Sequence, residues 1–214
     1  MLQFNNMFRR EFFWVGWLLL IKKVYWRIVS KVYARALHAD GLKVNAYINV
    51  IGSRDISFGR NIFINGQAWI ECVSSYGGKA FSPVINIGDG VCFSDRVHIS
   101  AAKRIDIGKG VLFGSNIYVS DNSHGAYDLE KSSSPEEPPA MRALQESGEV
   151  HIEDNVWIGD NCVIMAPARI GRGSVIGANS LIKGNVPPNE IWAGTPAKKI
   201  KYYDQVARKW VRVK

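Results

Sequence analysis

The chain has 214 residues, 47% of them hydrophobic, enough for one soluble domain with a real core plus terminal attachments. Its formal net charge of +8 sits at the two ends: residues 1–40 carry seven Lys or Arg against two acids, residues 198–214 seven against one, and the remainder is net −3. The ends lack nucleic-acid readers' motifs and a coherent aromatic-basic platform, so no nucleic acid is expected; a membrane surface or phosphate-bearing ligand fits better.

The first predicted element is an amphipathic, basic helical segment over residues 1–40. Ten uninterrupted apolar residues, Phe12 to Ile21, lie between Arg9-Arg10 and Lys22-Lys23. That is too short to span a bilayer, which takes about 20 residues. The lysines that follow at once, and the distance to the first Ala-x-Ala (Ala34 to Ala36), also argue against a signal peptide. Phe12, Phe13, Trp14, Trp17, Tyr25 and Trp26 beside seven cations suit a helix lying in the headgroup layer, making residues 1–35 a peripheral membrane contact. A cap packed on the rest of the protein, or on a neighbouring subunit, is the other reading.

From residue 41 the pattern changes. An aliphatic or aromatic residue returns every sixth position at Phe58, Ile64 and Ile70, at Ile87, Phe93 and Ile99, and at Ile107, Phe113 and Val119. The same spacing then runs without a break through Ile152, Ile158, Ile164, Ile170, Ile176 and Ile182. Neither an α-helix nor a lone strand keeps six such residues in phase, whereas short strands joined by tight corners do. The expected fold is all-β, a parallel β-helix over residues 41–197. Its loops fall at 71–86 and 125–149, and the turn from Ile99 to Ile107 is two residues longer than the repeat. Residues 198–214 are expected to be a basic, helical C-terminal tail that caps the coil, as the N-terminal segment does at the other end.

Cysteines 72, 92 and 162 are odd in number and form no CxxC, which points to a reducing, cytoplasmic setting without a disulfide framework or zinc ribbon. Cys162 fits a small interior position. Among the four histidines, His124 ends Ser120-Asp121-Asn122-Ser123-His124-Gly125 just before the longest excursion, held by a rigid coil yet facing a loop. An imidazole there can take a proton from a sugar hydroxyl near neutral pH. Asp121 either orients that ring or caps the local turn. His98 and Asp95 are candidates to line the same loop-lined cleft. His98, His124 and His151 on successive turns also allow a metal site, but the chain has no pair of ligand histidines four residues apart, so no metal is expected.

The stretch His151 to Ile164, then Ile170-Gly171, Val175 to Ser180, Val186-Pro-Pro-Asn-Glu-Ile and Trp192-Ala-Gly-Thr-Pro-Ala-Lys198 resembles the hexapeptide-repeat acyltransferases. The nearest group is similar to the maltose, galactoside and bacterial polysaccharide O-acetyltransferases. The resemblance is close from about Ile107 to Tyr202, looser from Phe58 to Ile99, and does not extend to residues 1–40.

What the resemblance implies is a left-handed coil, a homotrimer with sites between neighbouring prisms, and acetyl-CoA as co-substrate. His124 matches the family's general base and Trp157 a residue at the reaction centre. Gly159 and Asp160 match positions whose backbone N–H groups face the acetyl and pantetheine portion, and Gly177 and Ala178 the corner where pantetheine approaches. Ala193 belongs to the Ala-Gly-Thr-Pro-Ala-Lys end, while Lys183, Lys198, Lys199 and Lys201 are candidates for the CoA phosphates. The implied reaction is O-acetylation of a sugar hydroxyl in a surface polysaccharide, such as a lipopolysaccharide or exopolysaccharide, or in its precursor. Transfer to the nitrogen of an amino sugar, a γ-carbonic-anhydrase-like metal activity and a non-catalytic trimeric scaffold are the alternatives. The aromatic, basic segment stands where relatives acting on small sugars carry an acceptor-covering module, which suggests a different acceptor. A lipid-linked glycan at the inner face of the cytoplasmic membrane fits, with 125–149 as an acceptor-selecting or subunit-bridging arm.

Overall fold

A side chain can return to one axis every sixth residue only if the backbone turns a corner that often, and the chain does so. The structure, a computed structural model, describes residues 12–127 and 132–213. Its strands pass round three faces in a fixed order, giving the circuits 43–58, 63–87, 92–107, 112–152, 157–170 and 175–186. The first face is one ladder running from Lys43–Val44 to Glu190–Gly194. The second and third faces share a ladder, because Val163–Ile170 and Leu181–Val186 run from one face to the other. Every pairing between successive coils is parallel, and the result is a left-handed parallel β-helix.

On each face one large apolar residue per coil stands in a row along the axis, with a second inward residue two places before it in most strands of the second and third faces. On the first face these are Val44, Ile64, Phe93, Phe113, Ile158 and Ile176, aligned by register and at most 1% exposed. Ile70, Ile99, Val119, Ile164 and Ile182 form the row of the second face, and Ile87, Ile107, Ile152, Ile170 and Val186 that of the third. Each buried side chain of this kind contributes about 1.5–3 kcal/mol relative to exposure, so stability is spread along the axis.

The corners between faces use a second device. Asn116, Asn161 and Asn179 stand in left-handed backbone at φ 57°, 57° and 59°, a conformation asparagine tolerates better than most residues. Their side chains bond from coil to coil, Asn116 Nδ2 to Asn161 Oδ1 at 2.9 Å and Asn161 Nδ2 to Asn179 Oδ1 at 3.2 Å. Aspartates one coil along accept backbone N–H groups from the preceding corner. Asp95 takes Gln67 N at 2.9 Å, Asp154 takes Lys109 N at 2.9 Å and Asp160 takes Ser115 N at 2.6 Å.

Departures from the six-residue repeat gather at one corner, between the second and third faces. The first coil inserts the short 3-10 turn Ser53–Asp55 there, the second a hairpin of Ser75–Tyr76 with Lys79–Ala80, and the third the two extra residues between Ile99 and Ile107. The fourth inserts the excursion between Ser120 and Glu149, in which Asn122–His124 pairs antiparallel with Leu144–Glu146. Glu130 lies outside the described residues. The two large excursions meet in a small second core of Phe81, Ala102 and Leu144, and Tyr76 Oη donates to the Ala140 carbonyl at 2.6 Å.

The helix Phe13–Ala36 lies across the first coil; the Arg9-Arg10 pair before it lies outside the described residues. Ser30 is buried and joins helix to coil, accepting Val44 N–H at 2.9 Å and donating to Trp26 O at 2.6 Å. Trp26, Val29, Tyr33, Ala34 and Leu37 pack on the core. Away from the coil, Trp14, Leu18, Ile21, Ile28 and Val32 stay exposed at helical spacing, while Tyr25 at the edge of this stripe reaches back to Tyr47.

The expected helical tail is instead a β-hairpin. Ala197–Asp204 pairs antiparallel with Glu190–Gly194 and with Lys209–Arg212. Tyr202, Tyr203, Trp210 and Val211 favour extended backbone despite the basic composition, and Asp204 Oδ1 forms the turn by accepting Val206 and Ala207 N–H groups at 2.9 and 2.8 Å.

Candidate active site

His124 projects from a strand whose root is fully anchored. Asp121, completely buried, accepts the backbone N–H groups of Ala102, Lys103 and Arg104 at 2.7, 2.8 and 2.6 Å. Asn122 Nδ2 reaches the Ser100 carbonyl at 3.1 Å. Asp121 is thus placed as the cap of the adjoining corner, one of the two readings of its position, and makes no hydrogen bond to the imidazole among the described residues.

Two residues beyond that root, His124 is exposed. Its backbone is opposite Leu144 in register, and its carbonyl accepts the Tyr127 hydroxyl at 2.6 Å, which in turn accepts Arg142 Nη1 at 2.8 Å. The Tyr76 ring meets the imidazole edge-on with centroids 5.0 Å apart. Among the described residues the ring nitrogens of His124 take no hydrogen-bond partner.

The imidazole opens on a cavity of about 420 Å³ between the second face and the two excursions, lined among others by Trp69, Glu71, Tyr76, His98 and Tyr118. That is room for a sugar-sized ligand. His98 stacks on Trp69, centroids 4.3 Å apart and rings 10° from parallel, and its Nε2 is buried 3.5 Å from Glu71 Oε1 without a hydrogen bond.

The other residues singled out in the sequence stand elsewhere. Asp95 caps a corner and pairs with Arg96, outside the His124 cavity. His151 lies on the third face between Asp106 Oδ2 and Glu149 Oε2, each at 3.0 Å. Lys103 and Arg104 complete this ion cluster. The three histidines considered together for a metal are therefore not brought together.

Trp157 is on the first face, half exposed, in register with Leu112 and Val175. Gly159, Asp160, Gly177, Ala178 and Ala193 form a column where the first face turns into the second, away from His124 within one chain. Here the two glycines have a packing role: a Cβ on Gly159 would stand 2.7 Å from Ala178 N, and one on Gly177 2.8 Å from Ala193 Cβ. The expected N–H donor at Gly159 is taken, since it bonds Ile176 O at 2.8 Å, as Gly177 N bonds Trp192 O at 2.8 Å. Asp160 N takes no acceptor among the described residues. Lys183 and Lys198 are exposed and Lys201 half-buried, but Lys199 is held by buried Glu190 at 2.6 Å, which also accepts the Trp192 indole at 2.7 Å.

Trp69, Glu71, Tyr76 and Tyr118 were not among the sequence candidates. Trp69, His98 and Tyr118 are outward neighbours on adjacent coils, yet unequal corners separate them by 29 and 20 residues in the sequence. The signal available was the alternation of each strand, which turns Trp69 outward between Ala68 and Ile70.

Residues 149–184 match the family profile described as bacterial transferase hexapeptide (six repeats). Over 196 residues, 91% of this chain and 92% of the other, the sequence is 34% identical to WbbJ of Escherichia coli K12, named for O-acetyl transfer in lipopolysaccharide biosynthesis. It is 31% identical over 139 residues to the galactoside O-acetyltransferase of Lactococcus lactis subsp. lactis IL1403, covering 64% of this chain and 58% of that one. A hexapeptide-repeat acetyltransferase of Vibrio cholerae O1 biovar eltor, solved with acetyl coenzyme A, superposes with a TM-score of 0.51 at 25% identity, over 81% of this chain and 76% of that one. The N-acyltransferase AntD of Bacillus cereus shares the fold, with a TM-score of 0.60 at 18% identity over 79% of this chain and 84% of that one.

Proposed function

The chain belongs to the hexapeptide-repeat acyltransferases, and from that membership we propose that it transfers the acetyl group of acetyl-CoA to a sugar hydroxyl of a bacterial surface polysaccharide or its precursor, with His124 as general base. One observation carries the assignment: an imidazole whose ring nitrogens have no partner among the described residues, on an anchored strand, faces a cavity of about 420 Å³ lined by aromatic and carboxylate side chains. In the proposed step a ring nitrogen takes the hydroxyl proton as the oxygen attacks the thioester carbonyl. The tetrahedral intermediate then collapses, the carbon–sulfur bond breaks, and the imidazolium returns the proton to the leaving thiolate, giving an acetyl ester and CoA.

Acetyl-CoA is assigned to the column of small corner residues, with Asp160 N–H as a donor and Lys183, Lys198 and Lys201 as phosphate contacts. Lys199 is left out because Glu190 occupies it. In one chain this column and His124 lie on different corners, which supports a homotrimer in which a neighbouring copy brings the two together. The exposed row of Leu112 and Trp157 on the first face is suited to that contact.

The helix suits a peripheral position at the inner face of the cytoplasmic membrane, where the acceptor is lipid-linked. Its open apolar stripe is flanked by Lys22, Lys23, Arg27 and Lys31, and no helix among the described residues is long and apolar enough to cross a membrane.

The test is CoA thiol release by wild type and His124→Ala over a panel of glycans. Loss of a general base lowers the rate by about 10²–10⁴-fold. A folded mutant within tenfold of wild type would remove His124 from the chemistry. Mild alkali distinguishes the two transfer products, since it strips an O-acetyl ester and leaves an N-acetyl amide.

A further inference from the structure

A second cavity adjoins the one that His124 faces. It measures about 430 Å³ and is lined among others by Tyr47, Asn49, Gln67, Trp69, Arg96 and His98. Trp69 and His98 line both cavities, so the two adjoin along the second face with this stacked pair between them. The outward rungs of that face are in register from coil to coil, Asn49 beside Trp69, Trp69 beside His98 and His98 beside Tyr118. One face of the Trp69 indole is covered by the His98 ring, and the cavity on the Asn49 side meets the other; the residue is 42% exposed.

We infer that this strip is an extended groove for an oligosaccharide acceptor, in which Trp69 is the platform for a sugar beyond the one acetylated; the inference rests on the sugar-acetylating reading of the His124 site. The chemistry fits a glycan. The open indole face suits the C–H-rich face of a pyranose, while the amides of Asn49 and Gln67 and the carboxylate of Glu71 stand around it as hydroxyl partners, with Arg96 held at the rim by Asp95 and Asn116. The spacing fits as well, since neighbouring coils lie roughly 4.8 Å apart, close to what one pyranose adds to an extended chain.

Direction separates this groove from the cofactor's place. It runs from the coil of Tyr118 toward the first coil, whereas Asp160, Gly177 and Lys198 lie on later coils. At its far end Tyr47 bonds the helix through Tyr25, hydroxyl to hydroxyl at 2.8 Å, and packs edge-on against Trp26 at 5.2 Å. A glycan filling the strip would therefore have its non-reacting end beside Tyr25 and Trp26, at the middle of the helix.

The experiment is calorimetric binding of two series, glucose to maltotetraose and galactose to galactotriose, to wild type, Trp69→Phe and Trp69→Ala. CoA release, subunit stoichiometry and thermal midpoint are measured on the same samples. In at least one series the trisaccharide should bind tenfold or more tighter than the monosaccharide. Trp69→Ala should erase that gain and Trp69→Phe keep most of it, with stoichiometry and midpoint unchanged. No gain with length in either series, or a Trp69→Ala protein that binds as wild type, overturns the groove. A Trp69→Ala protein with altered stoichiometry overturns it too, by assigning the face to contact between copies. Length-dependent binding that needs Trp69, with CoA release that ignores the glycan or survives His124→Ala, supports the groove and instead defeats the proposed reaction.

Discussion

Replacing Asp121 by alanine separates a residue that builds the site from one that works in it. Its carboxylate accepts three backbone N–H groups of one corner, and it is completely buried, as is Ala102, the first of its donors. A hydrogen bond to a charged group contributes about 1.5–3 kcal/mol, and a buried donor left without an acceptor costs about 1–3 kcal/mol. The Lys103 and Arg104 N–H groups are only part-buried and can turn to water, so the loss for Asp121→Ala is about 3–5 kcal/mol. In a protein of this size that lowers the thermal midpoint by roughly 10 °C. Asp121→Asn keeps one acceptor oxygen and should fall between the two. Scanning calorimetry gives the midpoint, and kcat measured well below it gives the chemistry. If Asp121 is a cap, kcat per folded molecule falls far less than in His124→Ala. A wild-type midpoint with kcat cut as deeply as by loss of His124 would refute the cap and return Asp121 to the imidazole.

Three further outcomes follow from the packing. Gly159→Ala puts a Cβ 2.7 Å from Ala178 N and 3.0 Å from Ile176 O, backbone atoms that cannot swing aside, so the coil spacing must open at about 1–3 kcal/mol; an unchanged unfolding midpoint would contradict it. Asp106 is partly desolvated, but hydrogen bonds from Arg104 and Asn86 and the charges of Arg104 and His151 hold its carboxyl below the ordinary 3.8. Glu149 is lowered likewise by Lys103 and His151. Because both are depressed in the folded state, their stabilisation is present above the ordinary carboxylate range and lost as pH falls through the folded values. The midpoint should therefore drop below about pH 4, less steeply in Asp106→Asn, and a parallel acid limb in that variant would count against the cluster. Burial, with the charges of Asp55 and Asp121, pushes the Cys72 thiol up to about 12, and burial raises Cys162 as well, so a thiol reagent at pH 8 should label half-buried Cys92 far faster, as mass spectrometry of the modified peptides would report.

The coil was legible because its cause is periodic. Ile152 to Ile182 mark one inward position per face, and all six of these isoleucines are buried. The first coil was harder to read. Val44 and Val50 keep the six-residue spacing, but the turn Ser53–Asp55 puts Phe58 eight residues after Val50, so the phase looked as if it began later. The C-terminal hairpin was misread because lysines suit a helix in composition, whereas its outcome depends on pairing with Glu190–Gly194, a contact no local pattern announces. At the site, His124 could be picked out by its position before an excursion. Asp121 could not be settled, since its donors lie 17 to 19 residues away across a corner. The Trp69 rung was hidden for a related reason, its neighbours being set by coil stacking rather than by sequence distance.

The corner between the second and third faces has the geometry of an exchangeable socket. Its loops range from a few residues to nearly thirty while the ladders above and below keep register, because a parallel rung needs its neighbours and is indifferent to the path between them. Loop length is thermodynamically mild, each doubling costing about 0.6 kcal/mol of closure entropy. The segments that carry His124 and Tyr76 can thus diverge, lengthen or be transplanted between coils of this architecture while the prism that holds the column of small corner residues stays fixed. New acceptors become reachable by rewriting one edge of the molecule.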